Sequence, residues 1–196
     1  MIPLGPVVRL QIQTTNLKKG TGPNQRYDNS AVRSVDQLEI DDGGTWGIGP
    51  NRERITDIHH RDHPQTKLRG VVNPISFGFT GHYEAMRSEF GAHLVNGAAA
   101  EGILIELDQL VGLQDVENGL WIETRESGLV HLDGISVAAP CAPFSRWALQ
   151  YPDDEKPDQR VTAALQFLND GMRGYYCRYV GSPTKVNLGD MAYVAI

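Results

Sequence analysis

Val8, Leu10 and Ile12 alternate with Arg9, Gln11 and Gln13, a period of two that predicts a half-buried first strand. From Thr14 to Asn29 the alternation stops, and Lys18-Lys19-Gly20 and Gly22-Pro23-Asn24 read as loop. Val35 to Ile40 forms a short strand closed by Asp41-Asp42-Gly43-Gly44. The period then changes to that of a helix over 82–90, with Tyr83, Met86 and Phe90 on one face and Gly91 as the stop. His82 and Arg87 fall off that stripe and are expected at the surface. Ile103, Leu104, Ile105 and Leu107 make an apolar run suited to a buried strand.

Turn signals then come close together. Asn118-Gly119, Ser127-Gly128 and Asp133-Gly134 separate three short strands, 120–124, 129–132 and 135–139. Such a meander suggests a barrel or a strongly curled sheet, because closure removes the exposed edges. Asp158 can cap a helix in which Val161, Ala164, Leu165 and Leu168 recur at helical spacing until Gly171 stops it. Residues 173–180 and 191–196 resume as strands. The expectation is a single β-rich α+β domain over residues 1–196, a β-barrel with a few flanking helices.

Composition supports a core of ordinary size: 196 residues, 40% apolar, with 21 Gly and 11 Pro for the turns. The formal net charge of −6 argues against a general nucleic-acid or anionic-membrane binder and leaves room for a local basic pocket. The N-terminus, Met1-Ile2-Pro3-Leu4-Gly5-Pro6, has no basic region followed by an apolar run, and no stretch reaches membrane-spanning length. With two cysteines, Cys141 and Cys177, there is neither a disulfide framework nor a paired-cysteine metal knuckle. A soluble, cytoplasmic protein is expected. A Cys141–Cys177 disulfide is the structural alternative to free thiols.

Candidate chemistry centres on Cys141. Pro140 ends the preceding strand, Pro143 stiffens the segment on the other side, and Arg146 lies a few residues on as a cation for a thiolate. The ordinary alternative is a small buried hydrophobe. In Asp57-Ile58-His59-His60-Arg61-Asp62-His63-Pro64, three imidazoles and two carboxylates are donors for a metal, against the plainer reading of a polar loop. Gly47-Ile48-Gly49 opens like a dinucleotide fingerprint, but Pro50 comes next and no helix begins there.

Taken together, four passages resemble the MOSC domain, the module named for the C-terminal part of molybdenum cofactor sulfurases. Pro140-Cys141 resembles the family's cysteine segment. Gly171-Met172-Arg173-Gly174-Tyr175 resembles its GxRGxY passage, Leu188-Gly189-Asp190 its closing xGDxV strand, and Phe90-Gly91 through Ala100-Glu101-Gly102-Ile103-Leu104 its FG…GENL passage. Asp57-Ile58-His59-His60 is similar in place to its early GxxGD…H passage. The chain departs from the family where Ala100-Glu101-Gly102 stands for Gly-Glu-Asn.

The resemblance implies a barrel similar to the pyruvate kinase β-domain and a molybdenum cofactor, the metal held by a pterin dithiolene. By it, Cys141 is the metal ligand and reactive group. Arg173, Arg146, Lys18 and Lys19 are candidates for the pterin phosphate, although a solvated loop is the ordinary reading of the two lysines. Glu101 and His82 are candidates for supporting or proton-transfer roles. An oxidoreductase reducing N-hydroxylated small molecules is implied, with electrons from a separate flavin or iron–sulfur protein. The alternative is a non-redox sulfur carrier loaded on Cys141 by a sulfur donor, and a lower one is a metal-binding protein using His59, His60 and His63.

Overall fold

The computed structural model describes residues 1–22, 25–66, 73–152 and 155–195. The first strand, β1 (Ile2–Gln13), pairs with three others. Along one edge it meets β14 (Met191–Val194) and then β4 (Val32–Val35), and along the other β9 (Ile103–Ile105). β14 continues to β10 (Leu120–Thr124), β11 (Gly128–Val137), β12 (Tyr175–Tyr179) and β8 (Ile75–Phe79), and β8 returns to β9. Seven strands therefore close into a barrel. All its pairings are antiparallel except β8–β9, and the crossover between those two runs through α1 (Thr80–Phe90).

A second sheet, β13 (Thr184–Asn187), β5 (Gln37–Asp41), β6 (Gly44–Ile48) and β7 (Arg54–Thr56) in that order, lays Leu38, Ile40 and Val186 on the core that the barrel strands share. A separate apolar cluster joins α1 to α3 (Ala142–Ala148) and α4 (Gln159–Phe167) through Tyr83, Met86, Leu94, Phe144, Ala148 and Leu168. β2 (Lys18–Lys19) and β3 (Arg26–Tyr27) form a small hairpin whose Tyr27 stacks edge-on against Phe144. The mainly β barrel with flanking helices is therefore the fold, and α1, the Asp158-capped α4 and the closing strand stand where the pattern predicts them. Among the described residues no helix is long and apolar enough to cross a membrane.

Three expectations are corrected. Val8 is 39% exposed while Val7 is buried, because a register shift between Val7 and Arg9 reverses the facing of the strand there. Asp133-Gly134 is not a turn between two strands. Gly134 takes φ 61° inside the continuous β11, and the pairing with β12 shifts register between Asp133 and Ser136, so the glycine makes a bulge and the meander has one strand fewer. The segment after Pro140 is a helix, α3, which Pro143 enters within its first turn, where a missing N–H costs nothing.

Candidate functional site at the barrel mouth

The ends of β1 and β11 and the beginnings of β8, β9 and β12 meet at one end of the barrel. There they enclose, with the Asn16–Lys18 segment and the Ile58-His59 loop, a cavity of about 570 Å³. That volume suits a drug-sized or cofactor-sized molecule. Glu101, Arg173, Lys18 and His59 all line it, with Tyr27, Ser76 and Tyr176.

Glu101 reaches the cavity from the turn before β9. Ala100 holds φ 68°, a left-handed conformation uncommon for a residue with a Cβ. Glu101 is 4% exposed and lies over Gly78, where a Cβ would stand 3.3 Å from its Cγ. Tyr83 accepts a hydrogen bond from the Ala99 N–H at 3.0 Å, which directs its own hydroxyl proton to Glu101 Oε2 at 2.8 Å. Glu101 Oε1 is buried and has no hydrogen-bond partner among the described residues. Burial pushes the carboxyl up to about 7, against the opposing pull of the Tyr83 hydroxyl and of Arg173 and Arg9.

Arg173 is placed by Gly174, whose φ of 107° and whose approach to the Phe77 carbonyl, 2.6 Å from where a Cβ would be, admit only glycine. Its guanidinium donates to the Ala139 carbonyl at 3.1 Å and lies 5.1 Å above the Phe144 ring. Its Nε is buried with no partner among the described residues. Asp57 is buried, accepts from the Gln13 and His59 backbone N–H groups, and receives His59 Nδ1–H at 2.8 Å. The carboxylate thereby fixes the imidazole tautomer and leaves Nε2 without a hydrogen bond among the described residues, on a residue of the cavity wall.

Cys141 stands two residues beyond Ala139, at the N-terminal boundary of α3. It is half-buried, packs against the helical cluster and does not line the cavity. It nevertheless belongs to the same neighbourhood: Arg173, Glu101, Cys141 and Tyr176 all act electrostatically on the Tyr27 phenol, which burial holds well above its ordinary pKa. Cys177 is a free, fully buried thiol in the barrel core, pushed upward by burial, and Cys141 is free as well, so the two form no disulfide.

Other candidates lie elsewhere. Lys19 is exposed on β2, donates to Thr15 Oγ1 at 3.4 Å, and is outside the cavity lining. Arg146 turns away from Cys141: its guanidinium donates to the Pro152 and Glu155 carbonyls at 2.7 and 3.2 Å and faces Tyr151, fastening the loop after α3. His82, expected at the surface, is 2% exposed and accepts the Val111 N–H at Nε2. Burial lowers it to about 4, so it is a neutral packing group on the buried side of α1.

The three neighbouring histidines diverge. His59 goes to Asp57, His60 donates to Asp41 at 3.0 Å and accepts the Asp62 N–H, and His63 accepts the Gln65 N–H. Among the described residues no three His, Cys, Asp or Glu side chains gather as a metal ion would require. Two contributors went unread in the sequence. Tyr83 has the spacing of a core aromatic, and Asp57 appears there only as a metal donor, although its position two residues before a histidine is the local signal for the pair observed.

No family model and no curated protein matches the chain. Among solved structures, it is similar to the YUAD protein from Bacillus subtilis, with a TM-score of 0.58 and 17% identity over 98% of this chain and 94% of that one. A second structure, described as that of a hypothetical protein, matches with a TM-score of 0.56 and 13% identity over 99% of this chain and 70% of that one. At such identities the likeness is one of fold.

Proposed function

We propose that the mouth cavity binds a molybdenum cofactor with Cys141 as the metal ligand, and that the protein is an oxidoreductase acting on N-hydroxylated small molecules. The observation that carries the binding half of this reading is a pair of orphaned polar atoms on two residues that line the cavity. Arg173 Nε is a buried donor and Glu101 Oε1 a buried acceptor, and each lacks a partner among the described residues. Buried polar groups left unsatisfied are costly, and a site that carries both kinds suits a ligand bearing an anion and N–H donors. A phosphorylated pterin has both. The reaction itself is inferred from the resemblance to the MOSC domain.

Arg173 and Lys18 would take the phosphate and Glu101 would face the ring. Cys141 is the thiol available just past the Ala138-Ala139 wall, and soft thiolate suits a sulfur-rich metal centre. When bound, the cofactor supplies a two-electron couple, replenished by a separate flavin or iron–sulfur protein. Reduction of an N–O bond to an amine also consumes two protons and releases water. Asp57 keeps His59 in the Nδ1–H form, so its Nε2 can carry one of those protons at the cavity wall.

The test is the molybdenum and pterin content of protein isolated anaerobically from a cofactor-producing host. Wild type is expected to carry both, Cys141→Ala to lose the metal, and Arg173→Ala to lose both. Wild-type protein devoid of pterin under adequate supply overturns the reading. One observation favours the sulfur-carrier alternative: Cys141 is partly exposed and outside the cavity lining, where a donor protein could approach it. That alternative requires an added sulfur on the Cys141 peptide by mass spectrometry, in protein without metal.

A further inference from the structure

The cavity wall at Glu101 is more selective than a site for an anion needs to be. Its carboxyl group is anchored on one side only, with Tyr83 occupying Oε2 and Oε1 unpartnered among the described residues. Tyr83 is itself fixed by the Ala99 N–H, so the carboxyl cannot turn its free oxygen to that phenol without breaking a buried bond. Gly78, outside the cavity lining, leaves room for the Glu101 side chain to lie against the β8 backbone. The cations, Lys18 and Arg173, belong to other wall segments, so the cavity has an acceptor and donors at distinct places.

We infer that Glu101 recognises the 2-amino-4-oxopyrimidine edge of a heterocyclic ligand, accepting its N–H donors at Oε1. A ligand with N–H groups at that point satisfies the orphaned oxygen of the ionised carboxylate, whereas a carbonyl there would meet that form lone pair to lone pair. An arriving donor also favours the ionised form of a carboxyl that burial holds near neutrality. The inference rests on the cofactor reading for the ring type and deepens it by naming the selective residue.

Free pterin and lumazine separate the outcomes, because both rings fluoresce and lumazine carries an oxygen where pterin carries the 2-amino group. Fluorescence titration of wild-type protein is expected to show pterin bound about tenfold or more tighter than lumazine, the discrimination given by one hydrogen bond to a charged group. Glu101→Gln, with its fold verified by circular dichroism, should erase most of that ratio. Equal binding of the two rings by wild type overturns the inference and leaves the cofactor reading standing, and so does a preference that survives Glu101→Gln. Guanosine 5′-monophosphate, which has the same edge, separates the two claims in the other direction. If it binds, loses affinity in Glu101→Gln, and pterin does not bind, recognition of the edge stands and the pterin reading fails. Wild-type protein that binds none of the three overturns both.

Discussion

Glu101 in the mouth wall and His82 on the buried side of α1 are both almost wholly buried, and each keeps one polar atom, Oε1 or Nδ1, without a partner among the described residues. The surroundings of the two differ. His82 is enclosed by Phe79 and Tyr175 and is held at Nε2 by the Val111 N–H, in a seam outside the cavity lining. Glu101 borders a space large enough for a ligand. Burial alone therefore does not mark a functional group. An orphaned atom beside a cavity points to a ligand, whereas the same deficiency in a sealed seam only perturbs a pKa.

The sharpest way to test this contrast is pH. Glu101 rises from 4.5 to about 7 on folding, so the native state binds the extra proton between those values and its contribution to stability is lost as pH rises through the window. His82 falls from 6.5 to about 4, so the unfolded state binds the extra proton and its contribution grows as pH rises through that window. The two slopes oppose each other between pH 4.5 and 6.5. Relative to wild type, Glu101→Gln should therefore gain roughly 3 kcal/mol of stability as pH is raised from 4.5 to 7. His82→Gln, which keeps an acceptor for Val111, should lose a similar amount, roughly 3 kcal/mol, between pH 4 and 6.5. Urea unfolding followed by circular dichroism at each pH measures both. Parallel slopes in the two variants would break the comparison.

Tyr83→Phe removes the side-chain hydrogen bond to Glu101 and leaves the Ala99 N–H unanswered. A loss of about 2 kcal/mol is expected at neutral pH. The carboxyl should titrate still higher, which infrared spectroscopy of its protonated C=O stretch would detect. The smallest effect belongs to the turn that delivers Glu101. Ala100→Gly relieves the left-handed backbone at φ 68° and, after the added chain entropy of glycine, should stabilise by about 0.5 kcal/mol. No gain in the urea midpoint would show that the turn carries no such strain.

Much of the barrel was legible because its signals are local. Gly91 after a Tyr83–Met86 stripe, Asp158 before an amphipathic run and glycine turns around β10 each report their own neighbourhood. The bulges at Val8 and Gly134 were not legible, because a register shift is a property of two strands and the partner is far along the chain. The site divided in the same way. Glu101 and Arg173, singled out through ordered motifs, meet Lys18, a candidate for the phosphate, in the wall of one cavity. Arg146 was misplaced because proximity to Cys141 in sequence says nothing of the Pro152 and Glu155 carbonyls that claim its guanidinium. His82 was misread because the surface it shows on the helical wheel is covered by a distant loop at Val111.

The closure of the barrel has a consequence for the order in which the molecule is made. β1 is completed by β14, with Ile2 opposite Val194, whereas β8, α1 and β9 succeed one another directly. The crossover unit can assemble from neighbouring segments while the chain is still being synthesised, and β4 covers the Leu10–Gln13 end of the β1 edge early, but the Ile2–Pro6 end of that edge stays unpaired until β14 has left the ribosome. Joining ends so distant along the chain carries the largest loop-closure cost in the fold, so the sealing of that seam should be the slow step of refolding. Until then Ile2–Pro6 remains an open edge for other chains to pair with, and crowded synthesis is a condition under which this barrel is exposed to aggregation.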